Sequence, residues 1–269
     1  MSLPDDDTTT VEASLGGVSP TIRAILERAL ANVETSIEDA AALSVATGRD
    51  LFALCLTADR LRHEQVGDTV TYVVNRNINF TNVCVKACKF CAFARGHRSE
   101  EGYFLDMEEI VRRAVEARDV GATEVCLQAG LAPGMNGAFY IELCKAVKAA
   151  APELDIHAFS PEEVKYGAGL SAQSVRDYLA RLKDAGLGSL PGTSAEILDE
   201  ALRDRIAPGR IRTEEWIEVI RSAHEIGLPT TSTLMFGHVE TALDCIKHLD
   251  LLRSIQKETG GFTELVPLS

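Results

Sequence analysis

Strand-type and helix-type segments alternate along residues 67–269, and this alternation constrains the fold more than any other feature of the sequence. Residues 71–80 (TYVVNRNINF) are rich in β-branched side chains and predict a first strand. Helices separate it from five further predicted strands, at 123–128, 155–159, 187–190, 230–236 and 262–268. Such a βα repeat predicts parallel strands with right-handed crossovers. The alternatives are a doubly wound open sheet, weakened because no Gly-x-Gly-x-x-Gly follows the first strand, and a full or partial TIM-like barrel.

The first 66 residues predict a helical layer. Helix-start patterns occur at Pro20, Thr35 and Asp50, the second of them a capping box. We therefore divide the chain into an N-terminal helical region, 1–66, and an α/β core, 67–269. The core is predicted to be a partial (βα)6 TIM-like barrel.

The last predicted strand, 262–268, is followed only by Ser269, and no predicted helix comes after it. Parallel sheets are normally buried on both faces, so a bare parallel strand leaves an exposed edge and an uncovered face. We expect this chain to be part of a longer one, whose further elements close the barrel side.

Charge and hydropathy exclude several classes of function. The chain has 27 Lys and Arg against 40 Asp and Glu, a net charge of −13. Such a surface repels nucleic-acid phosphates and anionic lipids, so we expect no nucleic acid and no membrane partner. No apolar run reaches the length of a transmembrane helix, and the acidic N-terminus lacks a signal-peptide pattern. A cytoplasmic protein is expected.

Three of the seven cysteines, Cys84, Cys88 and Cys91, are grouped after the first strand. An odd number of cysteines without a secretion signal argues against a disulfide framework. A structural zinc site needs four closed ligands, and only His97 stands nearby as a candidate fourth. Three thiolates around a four-iron, four-sulfur (4Fe–4S) cluster instead leave one iron open to an exogenous ligand.

The spacing Cys-x-x-x-Cys-x-Phe90-Cys resembles the signature of the radical S-adenosylmethionine (SAM) superfamily. The resemblance implies that Cys84, Cys88 and Cys91 ligate a 4Fe–4S cluster and that SAM chelates the open iron. It also implies that Phe90 contacts SAM and that an electron donor reduces the cluster.

The loops that follow barrel strands build active sites, so polar residues in these loops are candidates for function. After the second strand come Gln128 and Gly130, and the superfamily has a Gly-Gly pair here where this chain has Ala-Gly. We expect both residues to contact SAM. After the third strand, Ser160 and Glu162 form a helix-start pattern and are also candidates for the ribose hydroxyls of SAM.

His238 and Glu240 follow the fifth predicted strand, beside a glycine. A histidine and a glutamate in this position are difficult to explain as core residues. We interpret them as substrate contacts and as the candidate catalytic pair.

Five phrases narrow the resemblance: NRNINFTNVCVKACKFCAF, EVCLQAGL, HAFSPEEV, GLGSLPGT and FGHVET. They are similar to the tyrosine-using subunit family of FO synthase, in coenzyme F420 biosynthesis. The family reaction joins the 4-hydroxybenzyl group of L-tyrosine to 5-amino-6-(D-ribitylamino)uracil, with a CofG-type FO synthase subunit as a candidate partner. The alternatives are a futalosine-route enzyme of the menaquinone pathway, a non-catalytic iron–sulfur or zinc protein, and a nucleotide-binding βα protein with incidental cysteines.

Overall fold

A computed structural model describes residues 7–96 and 98–269 of the chain. Contacts group the residues into two units. Unit 1 contains the residues up to Tyr72 together with Thr241–Asp250, and unit 2 contains Val73–Glu240 and Leu251–Ser269. None of the helices in these described ranges combines the length and apolar character needed to cross a membrane.

Unit 1 is helical, as the sequence predicts for this region. Its helices are α1 (Asp7–Leu15), α2 (Pro20–Leu30), α3 (Ile37–Ser44) and α4 (Gly48–Val66). Helices α1 and α2 pack on α4 around a small apolar core formed by Leu15, Ile22, Leu26 and Ala53. The domain boundary at residue 66 stays a prediction.

The cap of α3 differs from the prediction. Ser36, not Thr35, is the N-cap, because its backbone is extended and its Oγ accepts a hydrogen bond from the Asp39 backbone N–H at 3.1 Å. The helix predicted from Asp50 begins two residues earlier, at Gly48. Helix α1 had no counterpart in the sequence prediction.

Unit 2 contains the βα repeat. Its elements are β1 (Asn75–Ile78), α5 (Met107–Asp119), β2 (Glu124–Leu127), α6 (Phe139–Ala150), β3 (Asp155–Ala158), α7 (Pro161–Leu170), α8 (Val175–Asp184), α9 (Glu200–Ile206), α10 (Thr213–Glu225), β4 (Thr230–Met235), the C-terminal part of α11 (Ala242–Thr259) and β5 (Phe262–Leu268).

All strand pairs in unit 2 that the structure describes as ladders are parallel. β1, β2 and β3 form one sheet in chain order, with Ile78 opposite Leu127 and Leu127 opposite Ala158. β4 and β5 form a second sheet, with Met235 opposite Leu268. Parallel strands that follow one another in chain order agree with the predicted barrel segment.

The fourth predicted strand, 187–190, is reduced to two bridging residues. Ser189 bridges His157 on β3, and Leu190 bridges Thr230 on β4, so these residues connect the two sheets. A longer ladder cannot form because Gly186 at φ 105° turns the chain just before the segment, and Pro191 has no N–H to donate.

The sheet of β1 to β3 has two chemically different faces. Val125 and Leu127 on β2 and Ile156 on β3 point to the helices and are fully buried. The alternate residues Cys126 and His157 face the other side and are half-buried. Helices therefore cover the apolar face, and the carboxyl ends of the strands deliver their loops to the polar side.

Candidate functional site

A cavity of about 270 Å³ lies where β1, β2 and β3 end. All three cysteines of the triplet line it. So do the five predicted SAM contacts, which are Phe90, Gln128, Gly130, Ser160 and Glu162. Three separate post-strand loops thus converge on one volume, as the loop rule for barrels predicts.

Backbone hydrogen bonds hold the cysteine loop in shape. The Cys84 N–H donates to the Arg95 carbonyl at 3.0 Å, and the Cys91 N–H donates to the Cys88 carbonyl at 3.2 Å. The Cys84 Sγ accepts the backbone N–H groups of Lys86 and Leu131, each at 3.4 Å. These two contacts fix the position of the Cys84 sulfur at the cavity wall.

The three thiols of the triplet line one cavity and carry no disulfide. A 4Fe–4S cluster takes thiolate ligands at separate irons, so three thiols around one cavity fit such a cluster. Across residues 7–96 and 98–269, no group of three His, Cys, Asp or Glu side chains is placed to hold a single metal ion. His97, the candidate fourth zinc ligand, lies outside the described residues.

Gly130 brings the loop after β2 against the cysteine loop. A Cβ at this position would lie 2.3 Å from the Val83 carbonyl oxygen, so only glycine fits. The Gly130 N–H donates to the Thr81 carbonyl at 3.0 Å. Gln128 is held next to it, with its Oε1 accepting from Thr193 Oγ1 at 3.4 Å. The Ala-Gly pair therefore has its glycine at the position where the loop after β2 comes closest to the cysteine loop.

Ser160 is confirmed as a helix cap and also lines the cavity. It forms a capping box with Glu163, whose Oε2 accepts both the Ser160 N–H at 2.8 Å and the Ser160 hydroxyl at 2.7 Å. Glu163 Oε1 accepts the Ala129 N–H at 3.1 Å. Burial raises the pKa of Glu163 to about 7, although these hydrogen bonds act in the opposite direction. Glu163 therefore ties the loop after β3 to the loop after β2.

Glu162 belongs to a charged network on the cavity wall. Its carboxylate lies 3.0 Å from Lys86 Nζ and 3.7 Å from Arg210 Nε, and it accepts the Ile211 N–H at 2.6 Å. Arg210 Nη1 also lies 3.0 Å from a carboxylate oxygen of Glu196. Two cations and two anions thus neutralise one another in a largely buried position.

The same arginine contacts the cysteine loop. Arg210 Nη1 donates to Cys88 Sγ at 3.4 Å, and the guanidinium carbon lies 5.7 Å from the ring centroid of Phe90. Burial raises the pKa of the Cys88 thiol, and the charge of Arg210 opposes that effect.

His238 and Glu240 do not line this cavity in the described structure. Glu240 turns back on its own loop, accepting the N–H groups of Gly237, His238 at 3.2 Å and Val239 at 3.0 Å. These donors lower the pKa of Glu240 to about 2, although burial acts in the opposite direction. His238 Nδ1 lies 3.5 Å from the same carboxylate. The structure does not bring this pair together with the predicted cofactor contacts.

Sequence reasoning missed four charged residues of the cavity wall: Lys86, Glu163, Glu196 and Arg210. Lys86 stands inside the cysteine motif, and Glu163 is the second acid of the helix start, so both had a local signal. Glu196 and Arg210 had none, because the first adopts a left-handed backbone (φ 40°) and the second follows a turn at Gly209, far from the cysteines in sequence.

Residues 78–252 match the family described as the Radical SAM superfamily. The 5-amino-6-(D-ribitylamino)uracil–L-tyrosine 4-hydroxyphenyl transferase of Methanothermobacter thermautotrophicus is 48% identical over 244 residues, which are 91% of this chain and 66% of that protein. The FO synthase of Mycobacterium leprae is 48% identical over 84% of this chain and 26% of its own length. This chain spans between 62% and 66% of the first three curated relatives that it matches.

The crystal structure of HydG, a maturase of FeFe-hydrogenase, superposes with a TM-score of 0.71 at 18% identity, covering 98% of this chain and 57% of HydG. Together with the family match, this confirms the predicted α/β fold of the partial-barrel type. At this identity the likeness concerns the fold alone.

Proposed function

This chain belongs to the radical SAM superfamily, and on that premise we propose that it is the catalytic core of a transferase that uses L-tyrosine. Membership makes a 4Fe–4S cluster and SAM its cofactors and requires an electron donor. The proposed reaction joins the 4-hydroxybenzyl group of L-tyrosine to 5-amino-6-(D-ribitylamino)uracil. The observation that carries the proposal is the 48% identity over 244 residues to a relative named for that transfer.

We propose that Cys84, Cys88 and Cys91 hold the cluster, because they are the thiols that line the cavity. When bound, the cluster and SAM supply the radical chemistry that no side chain can. The protein positions the cofactor: Gly130 lets one loop approach another, and Ser160 fixes the start of α7. A buried, mostly neutralised wall excludes water from the reacting groups.

The remaining predicted SAM contacts follow from position and chemistry. Phe90 offers an aromatic face at the cavity, and Gln128 offers an amide whose orientation is fixed by Thr193. Glu162 presents a carboxylate able to accept hydroxyl hydrogen bonds, such as those of a ribose.

For the loop after β4 we propose two different roles. His238 contacts substrate, because it lies in the loop that follows the carboxyl end of β4. Glu240 positions that histidine rather than reacting itself, since its carboxylate already accepts three backbone N–H groups. We further propose a cytoplasmic location and a CofG-type FO synthase subunit as partner, both from the sequence.

The test is anaerobic reconstitution with iron and sulfide, followed by incubation with SAM, reductant, L-tyrosine and the ribitylaminouracil. We expect 5′-deoxyadenosine and the coupled product. Release of 5′-deoxyadenosine with a futalosine-type substrate and no use of tyrosine would move the protein to the menaquinone branch. Absence of SAM cleavage in a protein that retains its iron would favour a non-catalytic iron–sulfur protein.

A further inference from the structure

Arg210 is the one charged side chain in the described structure that donates a hydrogen bond to a cysteine of the triplet. It does so to Cys88 Sγ, at 3.4 Å through Nη1. Its side chain is only 14% exposed, so water screens the contact weakly. The proposed function assigns no role to this arginine.

Four further residues contact the guanidinium and fix its position. Nη2 donates to Ser194 Oγ at 2.7 Å, and Nη1 lies 3.0 Å from a Glu196 carboxylate oxygen. Glu162 is 3.7 Å from Nε, and the ring of Phe90 covers one face. Arginine has a rigid planar fork, so these contacts set the direction of the Nη1–H toward the sulfur.

Ser194 and Glu196 both adopt left-handed backbone conformations, with φ of 67° and 40°. Such conformations cost energy in residues other than glycine and persist where the surroundings require them. Here they turn two acceptors toward Arg210. Two residues that contact the guanidinium therefore stand at strained backbone positions.

We propose that Arg210 is a positioning residue that raises the reduction potential of the cluster held at Cys88. Reduction adds negative charge to a cluster and its thiolate ligands. A cation that donates a hydrogen bond to a ligand sulfur stabilises the reduced form, and such outer contacts tune potentials in iron–sulfur proteins. This inference rests on the proposed function, because it requires Cys88 to be a cluster ligand.

A nearby buried arginine provides a matched control. Arg203 lies in the same region and is 5% exposed, but its guanidinium donates to the carbonyl oxygens of Ala195, at 2.7 Å, and of Ile211. It lies 4.0 Å from Glu196. Changing it disturbs the same segment without removing a donor to a cysteine.

The experiment is an electron paramagnetic resonance redox titration of the reconstituted protein without SAM, with iron content measured in parallel. For Arg210→Met we expect about a tenfold smaller equilibrium constant for reduction, a midpoint potential lower by about 59 mV for one electron. Arg203→Met, which removes a buried cation in the same way, should change the equilibrium constant for reduction by less than about twofold, a shift in midpoint potential of less than about 20 mV.

A second variant separates the sulfur contact from an unpaired carboxylate. Arg210→Met combined with Glu196→Gln removes the arginine together with one of its anions, which also protects folding. The potential should stay low in this double variant. A return to the original potential would assign the shift to Glu196 and overturn the proposal, as would an unchanged potential in Arg210→Met with full iron content.

One further variant, Cys88→Ala, distinguishes a wrong role for Arg210 from a wrong proposed function. If Cys88→Ala retains the full iron content, Cys88 is not a ligand, and the proposed function fails at that residue. If Cys88→Ala loses iron and Arg210→Met keeps both iron and potential, only the role of Arg210 is wrong.

Discussion

Glu162 and Glu240 each follow a predicted strand of unit 2, but their carboxylates have different partners in the structure. In the segment after β3 (residues 159–163, which includes the first turn of α7), Glu162 faces the cavity and pairs with Lys86 and Arg210. In the β4 loop (residues 236–240), Glu240 accepts hydrogen bonds from three successive backbone N–H groups of its own loop.

The difference arises from which backbone donors still need a partner. At the start of α7, Ser160 caps the helix and Glu163 accepts the Ser160 N–H, so Glu162 can face the cavity. In the β4 loop, as the structure describes it, no such cap precedes Glu240, and three successive N–H groups form an anion-binding concavity that its carboxylate fills. An acidic side chain after a strand thus faces the cavity where other residues satisfy the local backbone N–H groups.

The largest contrast is expected between Glu162→Gln and Glu240→Gln. The first leaves Lys86 and Arg210 without their shared anion in a largely buried position, so it should lower the free energy of unfolding by about 3 kcal/mol. The second replaces a carboxylate whose pKa is lowered from 4.5 to about 2 by three backbone N–H groups. With the reduction that solvent exposure of this loop brings, it should cost about 2 kcal/mol. Anaerobic urea unfolding measures both. An equal loss of unfolding free energy in the two variants would show that the two carboxylates stabilise the fold equally, and would remove the contrast.

Glycines sharpen the same comparison. Gly130→Ala places a Cβ 2.3 Å from the Val83 carbonyl oxygen and should cost about 2 kcal/mol through overpacking. Gly237 in the β4 loop has φ 96° and open space where a methyl group would lie, so Gly237→Ala should cost about 1 kcal/mol through backbone strain alone. Iron incorporation should fall only in the first variant, because only that variant moves the cysteine loop.

His238→Ala should act on substrate and not on cofactor. Loss of a substrate contact at the β4 loop should raise the KM for L-tyrosine or the pyrimidine by about tenfold, equivalent to about 1.4 kcal/mol. SAM affinity, measured by isothermal titration, should be unchanged. A SAM affinity that falls in parallel with substrate affinity would place the β4 loop at the cofactor and remove the distinction between the loops.

A change in the pH dependence of stability is expected at Glu163. Its pKa is raised from 4.5 to about 7, so the folded state binds more protons than the unfolded state in that window, and stability falls as pH rises through it. Glu163→Gln should remove this fall. Urea unfolding at several pH values between these two pKa values measures the effect. If the difference in free energy of unfolding between Glu163→Gln and the original protein stays the same across this range, the prediction is wrong.

The sequence predicted the cavity well where a motif is local. The cysteine triplet, Gly130 and Ser160 each follow a strand that the periodicity identified, and the barrel rule brings such loops together. Arg210 could not be predicted in this way, because its contact with Cys88 depends on the left-handed turn at Ser194 and Glu196 and on tertiary packing.

The strand at 187–190 and the pair His238–Glu240 show what sequence periodicity cannot predict. Periodicity indicated a strand at 187–190, but the flanking glycine and proline leave only two bridging residues in the described structure. Residue type made Glu240 a candidate substrate contact, and periodicity did not predict that its carboxylate accepts three N–H groups of its own loop.

We propose that the cavity holds a 4Fe–4S cluster through Cys84, Cys88 and Cys91 alone. The most direct test is iron content and visible absorbance after anaerobic reconstitution of single cysteine variants. Alanine at any of these three positions should abolish the iron–sulfur absorbance, whereas Cys55→Ser and Cys144→Ser should retain it. Full absorbance in any of the three alanine variants, or its loss in either serine variant, would contradict the account.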